Sequence, residues 1–130
     1  MLIYLLIALG GALGSVSRYW LAETIAVRFD GPFPWGTLFV NVTGCILIGL
    51  FAAVTGSGWR QLPPLETRAF LMIGLCGGYT TFSAFSLQTL SLLRLGDWPR
   101  AIAYVLGSVL LCLVGVWLGE LLGTALAPAT

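Results

Sequence analysis

The sequence predicts an all-α integral membrane protein of four spanning helices, with the third helix broken near the bilayer midplane. Three observations carry this prediction. First, 58% of the 130 residues are hydrophobic and 8% are charged. A soluble domain carries roughly 25% charged residues, and a chain this poor in charge cannot clothe its surface for water. Second, the few charges are bunched. None falls within residues 1–17, 31–59, 69–93 or 101–119. About 20 apolar residues cross a bilayer, so these runs read as four spans. Third, a glycine pair and a threonine pair, weak helix formers, sit in the middle of the third run. The same composition excludes a soluble globular domain, a nucleic-acid binder and a disordered tail. Net charge is +1, which leaves no surface for a polyanion. The length fits one domain, residues 1–130.

The expected spans are about 2–27, 36–55, 67–93 and 99–124, each long enough to cross. Between the first and second lie Arg28, Asp30 and Gly31-Pro32-Phe33-Pro34. Between the second and third lie Gly56-Ser57-Gly58, Arg60, Pro63-Pro64, Glu66 and Arg68. Arg94, Gly96-Asp97-Trp98-Pro99 and Arg100 separate the third from the fourth. Glycine and proline punctuate the same joints that the charges mark. Trp20, Trp35, Trp59 and Trp98 stand near span ends, where interfacial aromatics belong. The first span has no basic segment before it, and Arg18 follows its apolar run, so it reads as a retained span and not a signal peptide.

Orientation is weakly specified. Arg60 and Arg68 share the side of the termini. Arg28, Arg94 and Arg100 lie on the other, with Arg18 below the surface. Either the one extra arginine decides, or the chain inserts both ways up and pairs with an inverted copy.

Several chemistries lack their residues. The chain has no histidine, so no histidine-based nucleophile can be built. Cys45, Cys76 and Cys112 fall in different spans without metal-ligand spacing, and read as small buried hydrophobes. Gly10-Gly11-Ala12-Leu13-Gly14 follows no strand and lacks a dinucleotide-loop spacing. Glu23 and Glu120 lie near span ends, whereas a proton-coupled exporter needs a carboxylate within the bilayer.

The polar groups inside the spans are neutral and clustered. Thr37 and Asn41 lie one turn apart in span two, followed by Gly44. Tyr104, Ser108 and Cys112 follow one another at single-turn intervals in span four. An isolated hydroxyl in a membrane helix ordinarily bonds back to its own backbone or to a neighbouring helix. The Asn41 amide is costlier in lipid and needs both donors and acceptors. Gly10/Gly14, Gly74/Gly78, Gly115/Gly119 and Gly119/Gly123 read as packing notches. Span three holds the densest group, Gly77-Gly78-Tyr79-Thr80-Thr81-Phe82-Ser83-Ala84-Phe85, then Ser86 and Gln88. Such a stretch reads either as a softened continuous helix or as a break. A break frees carbonyls that suit a hard cation and N–H groups that suit an anion. Phe82 and Phe85 share a face just beyond it. They read as ordinary packing, or as ring edges whose positive rim holds a small anion.

At these residues the sequence resembles the fluoride channel family, the Fluc or CrcB proteins. Three motifs carry the resemblance: Gly10-Gly11-Ala12-Leu13-Gly14-Ser15-Val16-Ser17-Arg18-Tyr19, then Trp35-Gly36-Thr37 with Asn41, Gly44 and Gly49, then Gly74-Leu75-Cys76-Gly77-Gly78-Tyr79-Thr80-Thr81-Phe82-Ser83-Ala84-Phe85. They stand in the family's order over the whole chain. The resemblance implies a dual-topology antiparallel homodimer enclosing two fluoride pores. It implies a structural, untransported sodium ion at the dimer centre, held by the backbone carbonyls of Gly77 and Thr80. It implies that Phe82 and Phe85 contact fluoride, that Asn41 donates to it, and that Tyr104 and Ser108 extend a polar track. Ser83 and Thr81 would assist, and Arg18 would stand in an aqueous vestibule. It implies passive fluoride export in a bacterial-type inner membrane, relieving fluoride toxicity without catalysis. Departures from the family pattern are Ala84 for a hydroxyl, Ser15 for alanine, Ile46 for an aromatic, and Cys112 where serine or threonine also occurs. The alternatives are a proton-coupled exporter of small molecules and a membrane subunit with no transport role.

Overall fold

The computed structural model describes residues 1–55 and 65–126. The expected turn residues Gly56-Ser57-Gly58 and Pro63-Pro64, with Trp59 and Arg60, lie outside the described residues. The described chain is all helical. Helix α1 is Leu2–Arg28 and α2 is Trp35–Thr55. The third span, Leu65–Arg94, begins as α3, Leu65–Arg68, and widens into a π-helical stretch, Ala69–Cys76. It tightens again as α4, Gly77–Tyr79, then bends and continues as α5, Phe82–Arg94. Helix α6 is Trp98–Leu126. Four helices are thus long and apolar enough to cross a membrane.

Local chemistry sets the joints. The Leu38 N–H bonds the Pro34 carbonyl (3.1 Å), which opens α2. Helix α5 ends where Gly96 takes a φ of +75°, a conformation that glycine adopts without steric cost. Gly96 N–H then reaches Leu93 O and Asp97 N–H reaches Leu92 O, both at 3.0 Å, closing the last turn. Asp97 opens α6: its Oδ1 accepts the Arg100 N–H (3.3 Å), and its Oδ2 pairs with the Arg100 guanidinium. Pro99 in the first turn needs no donor there.

The helices pack as two glycine-notched pairs. Helix α1 lies along the first half of the third span, and α2 lies along α6. A Cβ on Gly10 would stand 2.6 Å from the Phe70 carbonyl oxygen, and one on Gly14 2.7 Å from the Tyr79 nitrogen. On the other pair, a Cβ on Gly115 would stand 3.1 Å from the Val42 oxygen, and one on Gly119 2.9 Å from the Leu50 nitrogen. In lipid, such close backbone approach replaces the hydrophobic drive that holds soluble bundles. Gly44 differs from the others, because its missing Cβ makes room for the Thr80 methyl group and not for a helix backbone.

A small core of Leu38, Phe85, Leu92, Ala101 and Tyr104 ties α5 to α2 and α6. Most other large apolar side chains point outward, as lipid permits.

Candidate functional site

The bend in the third span occupies two residues. Thr80 (φ −83°, ψ 158°) and Thr81 (φ −153°, ψ 118°) are extended. The glycine pair before them stays helical, Gly77 at φ −64° and ψ −37°. So Gly78 allows close packing by α1, and the threonines make the bend.

Side chains take up the backbone groups that the bend frees. Asn41 forms a two-bond bracket on Thr81: its Oδ1 accepts the Thr81 N–H (2.8 Å) and its Nδ2 donates to the Thr81 carbonyl (3.1 Å). Thr81 Oγ1 accepts the Ala84 N–H (3.2 Å) and so caps α5. Thr80 turns back, its N–H (3.0 Å) and Oγ1 (2.9 Å) both donating to the Cys76 carbonyl. Ser15 Oγ donates to the Gly78 carbonyl across the α1 contact (3.4 Å). Asn41, Thr81 and Ser15 thereby satisfy groups that lipid would leave bare.

The bracket changes the state of two carbonyls. In a continuous helix, Gly77 O would accept from the Thr81 N–H and Thr80 O from the Ala84 N–H. Those donors go to Asn41 and to the Thr81 hydroxyl instead. Gly77 is also exposed on the single chain.

Beside the bend runs a groove of about 320 Å³ between α2, α5 and α6. Asn41, Thr80, Thr81, Phe82, Phe85 and Ser108 line it, with Gly44, Cys45, Ile48, Val109 and Cys112. No carboxylate is among them. The Phe82 and Phe85 rings are 5.3 Å apart between centroids and tilted by 41°. Phe85 is buried against Tyr104, whereas Phe82 is 78% exposed on the single chain. Ser108 Oγ is buried and has no hydrogen-bond partner.

Not every expected residue shares this groove. Tyr104 is wholly buried behind Phe85, and its hydroxyl donates to Gln88 Oε1 (2.9 Å). Ser83 is exposed and pairs with the Thr81 hydroxyl (3.2 Å). Arg18 lines a second hollow, with Tyr19, Ala22, Thr37, Val40, Thr81 and Ala84. Its Nε is buried without a partner. Thr81 lines both hollows and so lies between them.

A family model described as CrcB-like protein, Camphor Resistance (CrcB), matches residues 5–120. The chain belongs to this family. The protein named fluoride-specific ion channel FluC of Paramagnetospirillum magneticum is 54% identical over 124 residues, 95% of this chain and 97% of its own. The FluC of Opitutus terrae is 55% identical over 126 residues, 97% of this chain and 96% of its own. The FluC of Phocaeicola vulgatus is 50% identical over 115 residues, 88% and 93% respectively. These are channels and not enzymes. With its four apolar helices, this CrcB-family chain is a multi-pass membrane protein.

Three features of the CrcB-family site were not among the residues the sequence singled out for it. Gln88 holds Tyr104 across α5 and α6. Thr43 Oγ1 bonds the Tyr79 hydroxyl (2.9 Å), bracing α4 against α2. Cys45, one residue beyond Gly44, faces the groove. Helical spacing from Asn41 brings Cys45 one turn on, on the same face, and would have found it.

Proposed function

We propose that this chain is a passive, fluoride-selective channel that works as an antiparallel homodimer with two pores in a bacterial-type inner membrane. The observation that carries the reading is the groove itself. It joins two phenylalanine rings, an unpartnered buried hydroxyl and a bracketed backbone bend, with no carboxylate to repel an anion. Ring edges are electropositive, and rings at Phe82 and Phe85 offer them to a small anion without offering a cation site. The Asn41 Nδ2 carries a second N–H beyond the one given to Thr81, and Ser108 Oγ–H is uncommitted. Donors set for a small ion in a narrow passage favour fluoride over chloride. Arg18 draws anions toward Thr81 from the other hollow, Ser83 assists through its bond to the Thr81 hydroxyl, and Tyr104 backs the Phe85 ring. Fluoride leaves down its own gradient, so no proton-carrying carboxylate is required.

An inverted second copy explains why Phe82 is left exposed on one chain and why the arginines balance across the membrane. It also brings together two copies of Gly77 O and Thr80 O, whose helical donors go elsewhere. Neutral carbonyls of this kind fit sodium, a hard cation that binds oxygen. That ion would pin the two bends to each other and would not be transported.

Liposomes loaded with fluoride test the reading. Fluoride efflux without a pH gradient, with chloride retained, is expected. Efflux only under a proton gradient would establish the exporter, and none at all would establish a subunit without transport. Replacing sodium on both sides with N-methylglucamine should lower the flux; unchanged flux removes the sodium site. Cysteines placed in the loop at Asp30 should label from both sides of the membrane, and labelling from one side alone removes the inverted dimer.

A further inference from the structure

The groove contains a pair of groups to which the proposed conduction assigns no role. Cys45 on α2 and Cys112 on α6 both line it, and both are free and half-buried. The helices approach closely at this level: a Cβ on Gly115, three residues beyond Cys112, would stand 3.4 Å from the Cys45 Cβ. Ser108, one turn before Cys112, contributes a buried hydroxyl with no partner to the same groove, and Ser108 is only 6% exposed.

We propose that Cys45 and Cys112 form a two-thiolate site for a soft metal cation of the mercury(II) class, and that filling it closes the groove to fluoride. Thiolates select soft metals over the hard cations that carbonyls hold. Structural zinc takes four protein ligands, and among the described residues no group of three or more His, Cys, Asp or Glu stands together. Mercury(II) is satisfied by two sulfurs. Binding from mercuric chloride forms two mercury–sulfur bonds and breaks two S–H and two mercury–chlorine bonds; two protons and two chloride ions pass to water. No electron is transferred. The Cys45 carbon chain is held by the glycine contact and Cys112 by the rigid α6. The second thiol therefore meets a metal already held on the first at high effective concentration. The metal, held where both thiols face the groove, fills the passage beside Ser108.

The block rests on the channel reading of the same groove, whereas the metal binding does not, so the test reads both. Purified protein in detergent is loaded with mercuric chloride, then dialysed against millimolar glutathione, a competing monothiol. The wild type should retain about one equivalent per chain through the chelate. Cys45→Ala and Cys112→Ser should each lose it, and Cys76→Ala should keep it. Retention by either single variant, or loss from the wild type, overturns the site. In fluoride-loaded liposomes, mercuric chloride followed by glutathione should leave wild-type efflux at least about tenfold below its own untreated rate. Each single variant should recover its own untreated rate. Retained mercury with undiminished efflux overturns the closure. Absent efflux before any mercury is added indicts the channel reading instead, and the retention measurement still decides the site.

Discussion

The two faces of α2 solve opposite problems. Toward α6, backbone rests on backbone, through Gly49, Gly115, Gly119 and Gly123. Toward the third span, Asn41 and Thr43 reach across to a bend and hold it by side-chain hydrogen bonds. The first face has no room for a methyl group. The second keeps an open groove and a hydroxyl with no partner. Stability and selectivity are thus placed on different sides of one helix. A rigid pair supports a site whose backbone has left the helix, and lipid would not tolerate that site unsupported.

The largest effect should come from the closed face. In Gly119→Val the new carbons run into the Ile46 carbonyl, a backbone group that cannot swing aside. Overpacking costs about 1–3 kcal/mol where neighbours can yield. Here they cannot, and the yield of monodisperse protein in detergent should collapse. Gly11→Ala is the control, because the nearest atom to its Cβ would be 4.0 Å away. Equal damage from both would show that glycine content, and not these contacts, sets stability.

Phe82→Ile moves to the open face. The ring is mostly outside the packed interior of one chain. Folding should persist, and fluoride efflux should fall to that of protein-free liposomes. Isoleucine fills the space without an electropositive edge. Undiminished flux would remove the ring from the mechanism.

The spans were legible in the sequence because charge is costly in lipid and so marks where lipid ends. The bend was legible as a weak segment, yet its position was not. Gly77-Gly78 has the poorer helix propensity, yet the bend falls after it, at Thr80 and Thr81, because α1 packs against Gly78 and holds that turn helical. Tertiary contact decided between two weak spots. Asn41 was legible as an expensive amide with a need for partners. That its partners are both ends of one residue, Thr81, depends on how α2 and α5 meet, which no spacing encodes. The resemblance implied a track hydroxyl at Tyr104, whereas that hydroxyl donates to Gln88 Oε1 behind Phe85.

Asn41→Ala separates bracket from lining. It removes two hydrogen bonds worth about 2 kcal/mol together, or roughly a 30-fold shift in the bent population. Flux should fall by about that factor, and hydrogen exchange at the Thr81 amide should rise by a similar one. Asn41→Asp can accept from the Thr81 N–H but cannot donate to its carbonyl. It should restore amide protection in part and leave flux low, since a carboxylate beside the groove repels an anion. Normal protection in the alanine variant would show that the bend holds itself.

Ser108→Ala gives the smallest effect and the sharpest division between the two faces. A buried hydroxyl with partners costs stability when it is removed, because those partners are left bare. Ser108 Oγ has none, so its loss should change unfolding by no more than about 0.5 kcal/mol. On the conducting side the same atom is a free donor for a passing anion. Flux should drop about tenfold, the equivalent of one hydrogen bond near 1.4 kcal/mol. Thermal unfolding followed by tryptophan fluorescence, beside efflux from the same preparation, reads both quantities. A residue that only packs moves them together. One placed for the ion moves flux alone, and Ser108→Thr, which keeps the hydroxyl, should return most of it.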